Sequence, residues 1–155
     1  MSTCRVVRWE PEGVLLRLRR SKTDQEGEGR LVAIPYGVHV ETCPVRALQK
    51  WLEVAGLAEG PLFRSLRKGG SVTSSRLSGH AAASIVKKYA QRAGFAVSEF
   101  SGHSLRAGFV TSAARAGQPE HRIMRQTGHK STEMVLRYIR VANAFSENAA
   151  QGLGL

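Results

Sequence analysis

The sequence is short of several residue types, and each shortage argues against a class of protein. Its 155 residues include two cysteines, Cys4 and Cys43, which form neither a CxxC pair nor a metal-binding spacing. No apolar run approaches the length of a transmembrane helix, and no signal-peptide pattern opens the chain. These features disfavour a disulfide-rich secreted protein and a membrane-spanning one, and they predict a reducing, cytoplasmic location.

Acidic residues are also scarce, and this shortage indicates the kind of partner. Asp and Glu total 12 against 23 Lys and Arg, so the formal net charge is +11 and the pI is about 10.6. The bases comprise 17 arginines and 6 lysines, and the forked guanidinium suits contacts to phosphate. The hydrophobic share of 42% is that of an ordinary globular domain. A nucleic acid is therefore the expected partner.

The first third of the chain has the pattern of a small sheet. Short segments with strand-like composition occur at residues 4–9, 14–20 and 30–36. A Glu-Pro-Glu-Gly turn separates the first two, and a polar loop at 21–29 separates the last two. The pattern predicts a three-stranded antiparallel sheet, with Leu16 and Leu18 on one face and Arg17 and Arg19 on the other.

The remainder has helical periodicity. Apolar spacing, proline starts and glycine stops predict helices at about 44–55, 78–93, 103–116, 119–126 and from 131 onward. Residues 64–74 are predicted to be a basic loop, and 143–155 a mobile or exchanged tail. The expected fold class is α+β, a three-stranded antiparallel sheet packed against a mostly helical bundle. Residues 1–155 are expected to form a single domain.

Four residues of the helical part are candidates for phosphate chemistry. His103 and Arg106 lie three apart near a helix start, where both side chains can reach one phosphate. His129 follows a glycine, and Tyr138 comes nine residues later. The alternative is structural: Tyr138 would anchor a core helix with Met134 and Val135, while the histidines would cap a helix or lie in a turn. Two further tyrosines, at positions 36 and 89, are interpreted as packing residues.

The order of these residues resembles the catalytic domain of the tyrosine recombinases, the phage integrase family. In that family a lysine on a β-hairpin precedes a His-x-x-Arg helix, a Gly-His loop and the nucleophilic tyrosine. The matching residues are Lys22, His103, Arg106, His129 and Tyr138. The resemblance extends over nearly the whole chain. It implies a DNA-breaking and rejoining enzyme of bacterial, phage or mobile-element origin, located at the nucleoid.

The resemblance also implies a role for each matched residue. Tyr138 would attack the phosphodiester and form a 3′-phosphotyrosine, which conserves the bond energy for rejoining. Arg106 would hold the charge that develops on the non-bridging oxygens, and Lys22 would protonate the leaving 5′ oxygen. His129 would donate a hydrogen bond to the phosphate, and His103 would support the phosphate or act as acid or base. No metal or other cofactor is implied.

The sequence departs from the family pattern in one respect. The family uses a second arginine, in a Gly-x-Arg-x-Ser-Glu-Leu helix ahead of the hairpin lysine, and no such segment occurs here. Arg5 and Arg8 lie on the predicted first strand and do not inherit that role. We therefore expect a domain truncated at its amino terminus and impaired alone. The alternatives are a non-catalytic DNA-binding remnant and a type IB topoisomerase. Double-stranded DNA, further recombinase subunits and a second copy of this chain are the expected partners.

Overall fold

In a computed structural model of the protein, the described residues are 6–18, 28–142, 150 and 153. The chain forms two compact units, residues 1–78 and residues 79–155. In the described part of the chain, no helix is both long and apolar enough to cross a membrane.

The first unit opens with the predicted sheet. Its strands run antiparallel in the order β1-β2-β3, and their bounds are β1 Val7–Glu10, β2 Gly13–Leu18 and β3 Arg30–Pro35. The register pairs Leu16 with Val7 on one side and with Val32 on the other. This confirms the sheet. Residues 1–5 and 19–27, which include Lys22, lie outside the described residues.

One helix covers this sheet. Helix α1, Pro44–Val54, begins with proline, whose missing N–H costs nothing at a helix start. Val45 and Leu48 of α1 are buried with Val14 of β2. Leu16 of β2 packs against the same core.

The basic segment that follows is a hairpin rather than the predicted loop. Strands β4 (Arg64–Leu66) and β5 (Val72–Arg76) pair antiparallel. The Gly70 N–H donates to the Arg67 carbonyl at 2.9 Å and closes the turn between them. The loop prediction was wrong because Ser, Gly and Lys dominate the segment. The two strands are held by backbone hydrogen bonds, which the pattern of side chains does not predict.

The second unit is helical, as expected. Its helices are α2 Gly79–Arg92, α3 Ser104–Arg115, α4 Glu120–Thr127 and α5 Thr132–Ala142, with a 3₁₀ turn at Val97–Glu99. Helices α3, α4 and α5 pack against one another around Val110, Ala114, Ile123 and Val135, all buried. Burying a valine such as Val135 contributes about 1.5–3 kcal/mol. The α+β class is thus confirmed.

Candidate active site

His103 and Arg106 lie at the start of α3. The Ser101 N–H donates to the Ser104 hydroxyl at 2.8 Å, and the His103 N–H donates to the Ser101 hydroxyl at 3.2 Å. These bonds order the turn that leads into the helix. His103 is the residue that precedes the helix, and Arg106 lies in its first turn. Both side chains are exposed.

A glycine turn at the end of α4 positions His129. Gly128 adopts a left-handed conformation, with φ of 73°, and its N–H donates to the Met124 carbonyl at 2.7 Å. Glycine adopts this conformation at little cost, and it ends the helix abruptly. The chain therefore leaves α4 at Gly128, and His129 is half-buried beside the last turn.

Arg106 and His129 are in direct contact although 23 positions separate them. The Arg106 Nε donates to His129 Nε2 at 3.4 Å, and Arg106 Nη2 donates to the Thr127 carbonyl at 2.5 Å. The other ring nitrogen, His129 Nδ1, lies 2.6 Å from the Thr127 hydroxyl oxygen. The charged guanidinium thus makes a short hydrogen bond to the end of α4 and a longer, weaker hydrogen bond to the imidazole.

The positive charge of Arg106 is not neutralised by a carboxylate within the described residues. The ion pair found there joins Arg8 to Glu10, at 2.6 Å between Nε and Oε1, in the other unit. Arg8 therefore has an acidic partner on its own strand, consistent with leaving it out of the active site. None of the described hydrogen bonds uses Arg106 Nη1. An anion can approach this guanidinium from solvent.

The pKa of His129 is lowered from 6.5. Partial burial is the larger cause, and the charge of the Arg106 guanidinium adds to it. The folded protein thus favours neutral imidazole. As the pH falls below 6.5 the unfolded chain binds the proton first, so stability falls until the pH passes the lowered folded pKa. Near neutral pH, His129 is an uncharged ring with one acceptor nitrogen.

Tyr138 lies on the exposed side of α5. Val135 is fully buried, whereas Met134 is exposed and Tyr138 retains 36% of its surface. Of these three residues, Val135 faces the core. Val135, rather than Tyr138, occupies the core position of this helix. None of the described hydrogen bonds involves the Tyr138 side chain.

The second unit holds four of the five predicted site residues. It brings Arg106 and His129 into contact, and it carries His103 and Tyr138 on helices that pack against each other, α3 and α5. Among the described hydrogen bonds, none joins the side chain of His103 or Tyr138 to the other two. Lys22 lies outside the described residues.

The other tyrosines have different surroundings. Tyr36 is stacked with the Arg46 guanidinium, whose Cζ lies 5.0 Å from the ring centre, and accepts a hydrogen bond from Gln49 at 3.4 Å. Tyr89 is exposed on α2, with Arg92 at 5.5 Å. The packing interpretation thus fits Tyr36 in part and was wrong for Tyr89. Among the described contacts of the second unit, none joins Tyr89 to the Arg106–His129 pair.

Thr127 is the site residue that the sequence analysis missed. It is buried, with 7% of its surface exposed, and it contacts both Arg106 and His129. The available signal was a hydroxyl residue four positions after Ile123 and immediately before the Gly-His pair. Ser and Thr at such positions bond back to the helix and are easily mistaken for surface residues.

Comparison with known proteins identifies the family. Residues 8–144 match the model of the phage integrase family. The chain is 48% identical over 139 residues to an integrase/recombinase xerD homolog of Selenomonas ruminantium, with 90% of this chain aligned. It is 31% identical over 150 residues to recombinase cre of Escherichia phage P1, with 88% aligned. The alignments cover 41% of each relative's length, so the chain spans about two-fifths of either. The chain belongs to the phage integrase family, the tyrosine recombinases.

Proposed function

We propose that this chain is the catalytic portion of a site-specific DNA recombinase that works through a 3′-phosphotyrosine. The observation that carries the proposal is the contact of Arg106 with His129 at the protein surface. The helix of Arg106 packs against α5, which presents an exposed tyrosine. An uncompensated guanidinium, a neutral imidazole and an accessible phenol are the groups that phosphoryl transfer to a hydroxyl requires.

The proposed reaction exchanges one ester for another. The Tyr138 oxygen forms a bond to phosphorus and releases its proton, while the bond from phosphorus to the 5′ oxygen breaks. Arg106 stabilises the charge on the non-bridging oxygens, His103 accepts the proton that Tyr138 releases, and His129 supports the phosphate. The leaving 5′ oxygen takes a proton from Lys22. Reversal of these steps rejoins the strand.

A change at Lys22 can distinguish a general acid from a residue that only binds DNA. Lys22→Ala should slow adduct formation on ordinary DNA by about 10²–10⁴-fold, the usual contribution of a general acid. On DNA with sulfur in place of the bridging 5′ oxygen the defect should largely disappear, because a thiolate leaves without a proton. Rates with both substrates are compared, and Lys50→Ala, an exposed lysine of α1, is the control. Equal defects on both substrates would contradict the assignment.

Double-stranded DNA is the proposed partner, and the β4–β5 hairpin is one surface suited to it. Residues 63–78 contain no acidic residue, and Arg67, Lys68 and Arg76 are exposed. Arg64 is different, since its guanidinium donates to the carbonyls of Glu59 and Pro61. The first three side chains are therefore available to phosphates, while Arg64 binds the segment that precedes β4.

Changing Arg67 and Lys68 together to alanine should weaken DNA binding. The slope of log K against log salt should fall by about 1 for each lost phosphate contact. Fluorescence anisotropy over a salt series measures both quantities. The double change Arg17→Ala with Lys50→Ala removes the same charge from exposed positions elsewhere. If the two double variants lose affinity equally, net charge rather than the hairpin is responsible.

We expect the 155-residue chain alone to show weak or undetectable strand exchange and to retain DNA binding. No segment of it matches the family's first arginine motif, and one missing phosphate donor typically costs about 10²–10³-fold in rate. A library of nicked duplexes of randomised sequence tests the proposal, because the short fragment with the free 5′ hydroxyl, between the cut and the nick, dissociates and leaves the covalent adduct trapped. An adduct with little strand exchange supports the proposal. DNA binding with no adduct would favour the non-catalytic remnant.

Assembly and location are parts of the same proposal. We propose that residues 1–155 act as one catalytic domain at the nucleoid, together with further recombinase subunits. Residues 143–155 are proposed to reach a neighbouring subunit. Light scattering over a concentration series checks self-association, and a monomer at every concentration would count against it.

A further inference from the structure

Thr127 connects the two side chains that carry the proposed site. It is the last residue of α4, and its side chain is buried. Its carbonyl accepts a hydrogen bond from Arg106 Nη2, and its hydroxyl lies 2.6 Å from His129 Nδ1. One residue thus contacts both groups, through its main chain on one side and its side chain on the other.

The direction of these hydrogen bonds is set by the groups that can only donate. A guanidinium has no acceptor, so Arg106 Nε donates to His129 Nε2, which must carry a lone pair. A neutral imidazole then carries its proton on Nδ1, which donates to the Thr127 hydroxyl. That hydroxyl donates in turn to the Ile123 carbonyl at 2.8 Å. The sequence of donors runs from Arg106 through His129 and Thr127 to the α4 backbone.

The opposite tautomer does not fit this arrangement. A proton on His129 Nε2 would point at the Nε proton of Arg106. Nδ1 would then have to accept from the Thr127 hydroxyl, which would lose its bond to Ile123. Two hydrogen bonds would be lost in a partly buried site, at a cost of about 0.5–1.5 kcal/mol each. The lowered pKa of His129 agrees with a neutral ring.

We propose that Thr127 is a positioning residue that holds His129 in the Nδ1–H tautomer and directs Nε2 toward Arg106 and the DNA phosphate. The role of Thr127 in DNA cleavage rests on the proposed function. The tautomer of His129 is independent of that function. Nε2 can donate to a phosphate oxygen only after the ring takes up a second proton and Nε2 gives up the hydrogen bond from Arg106 Nε. Thr127 keeps the first proton on Nδ1 throughout.

Nitrogen NMR of the histidine-labelled full chain tests the inference. At a pH where His129 is neutral, its Nδ1 should show the shift of a protonated nitrogen and its Nε2 that of an unprotonated one. Thr127→Ser keeps the hydroxyl and should retain this pattern. Thr127→Val keeps the shape without the hydroxyl and should raise the fraction of His129 protonated on Nε2, with the Arg106 hydrogen bond alone opposing the change. Thr111→Val makes the same chemical change within α3 and should leave His129 as in the wild type.

The covalent adduct gives a second readout. Thr127→Val should slow adduct formation by at least about 10-fold at unchanged DNA affinity, since a wrong histidine tautomer in a serine protease costs about 10⁴-fold. Thr127→Ser should restore the rate. A wild-type His129 with its proton on Nε2 overturns the inference by itself, even where Thr127→Val does not fold. A wild-type tautomer in folded Thr127→Val overturns it too. Absence of adduct in every variant, with the tautomers as expected, counts only against the proposed function.

Discussion

Tyr138→Phe should abolish the covalent adduct between this chain and nicked DNA. The change removes one oxygen, the proposed nucleophile, from an exposed position, so folding and DNA affinity should be unchanged. Loss of a covalent nucleophile costs up to about 10⁶-fold in other enzymes, which places the remaining adduct below detection on a gel. The library of nicked duplexes described above is the substrate, and the adduct is read as a denaturation-resistant protein–DNA band.

Two other tyrosines provide matched controls. Tyr36→Phe and Tyr89→Phe make the same change at exposed positions, where the rings lie beside Arg46 and Arg92. Both should form adduct at close to the wild-type rate. An undiminished adduct in Tyr138→Phe, together with its loss in one of the controls, would assign the nucleophile elsewhere.

Arg106→Ala should have the second largest effect. Removing a donor that stabilises developing charge typically costs about 10²–10³-fold in rate, and this arginine also holds the end of α4 through the Thr127 carbonyl. The pKa of His129 should rise toward 6.5, because one of its two depressing causes disappears while burial remains. The adduct rate and a histidine NMR titration measure the two effects in one variant.

Arg115→Ala is the matched control for this prediction. It removes the same charge from an exposed position at the other end of α3, and Arg115 is not among the causes of the His129 shift. Arg106→Lys should keep part of the pKa depression but lose most of the rate, since an ammonium cannot reproduce the guanidinium's planar fork. A normal adduct rate in Arg106→Ala would exclude this residue from the reaction.

The sequence predicted the fold where local chemistry decides the structure. The sheet follows from alternating side chains, and the ends of α3 and α4 lie within two residues of expectation because glycines stop both helices. The β4–β5 hairpin was missed because it is held by backbone pairing between polar residues. Such pairing leaves little trace in side-chain periodicity.

The sequence predicted which residues belong to the candidate site but not how they contact one another. The order of His103, Arg106, His129 and Tyr138 indicated phosphate chemistry, whereas the three consecutive apolar residues before Arg137 left the orientation of α5 ambiguous. Burial of Val135 resolved that orientation. Thr127 could not be found from order alone, because its role depends on a hydroxyl 2.6 Å from a ring nitrogen. Distances of that kind arise from tertiary packing.

The most direct test of the central claim is to locate the DNA on the protein. The adduct from nicked DNA is digested with nuclease and trypsin, and the peptide that carries the residual nucleotide is sequenced by mass spectrometry. The account predicts a nucleotide linked through its 3′ phosphate to Tyr138, in the tryptic peptide 138–140. A nucleotide on another residue, or one attached through a 5′ phosphate, would contradict it.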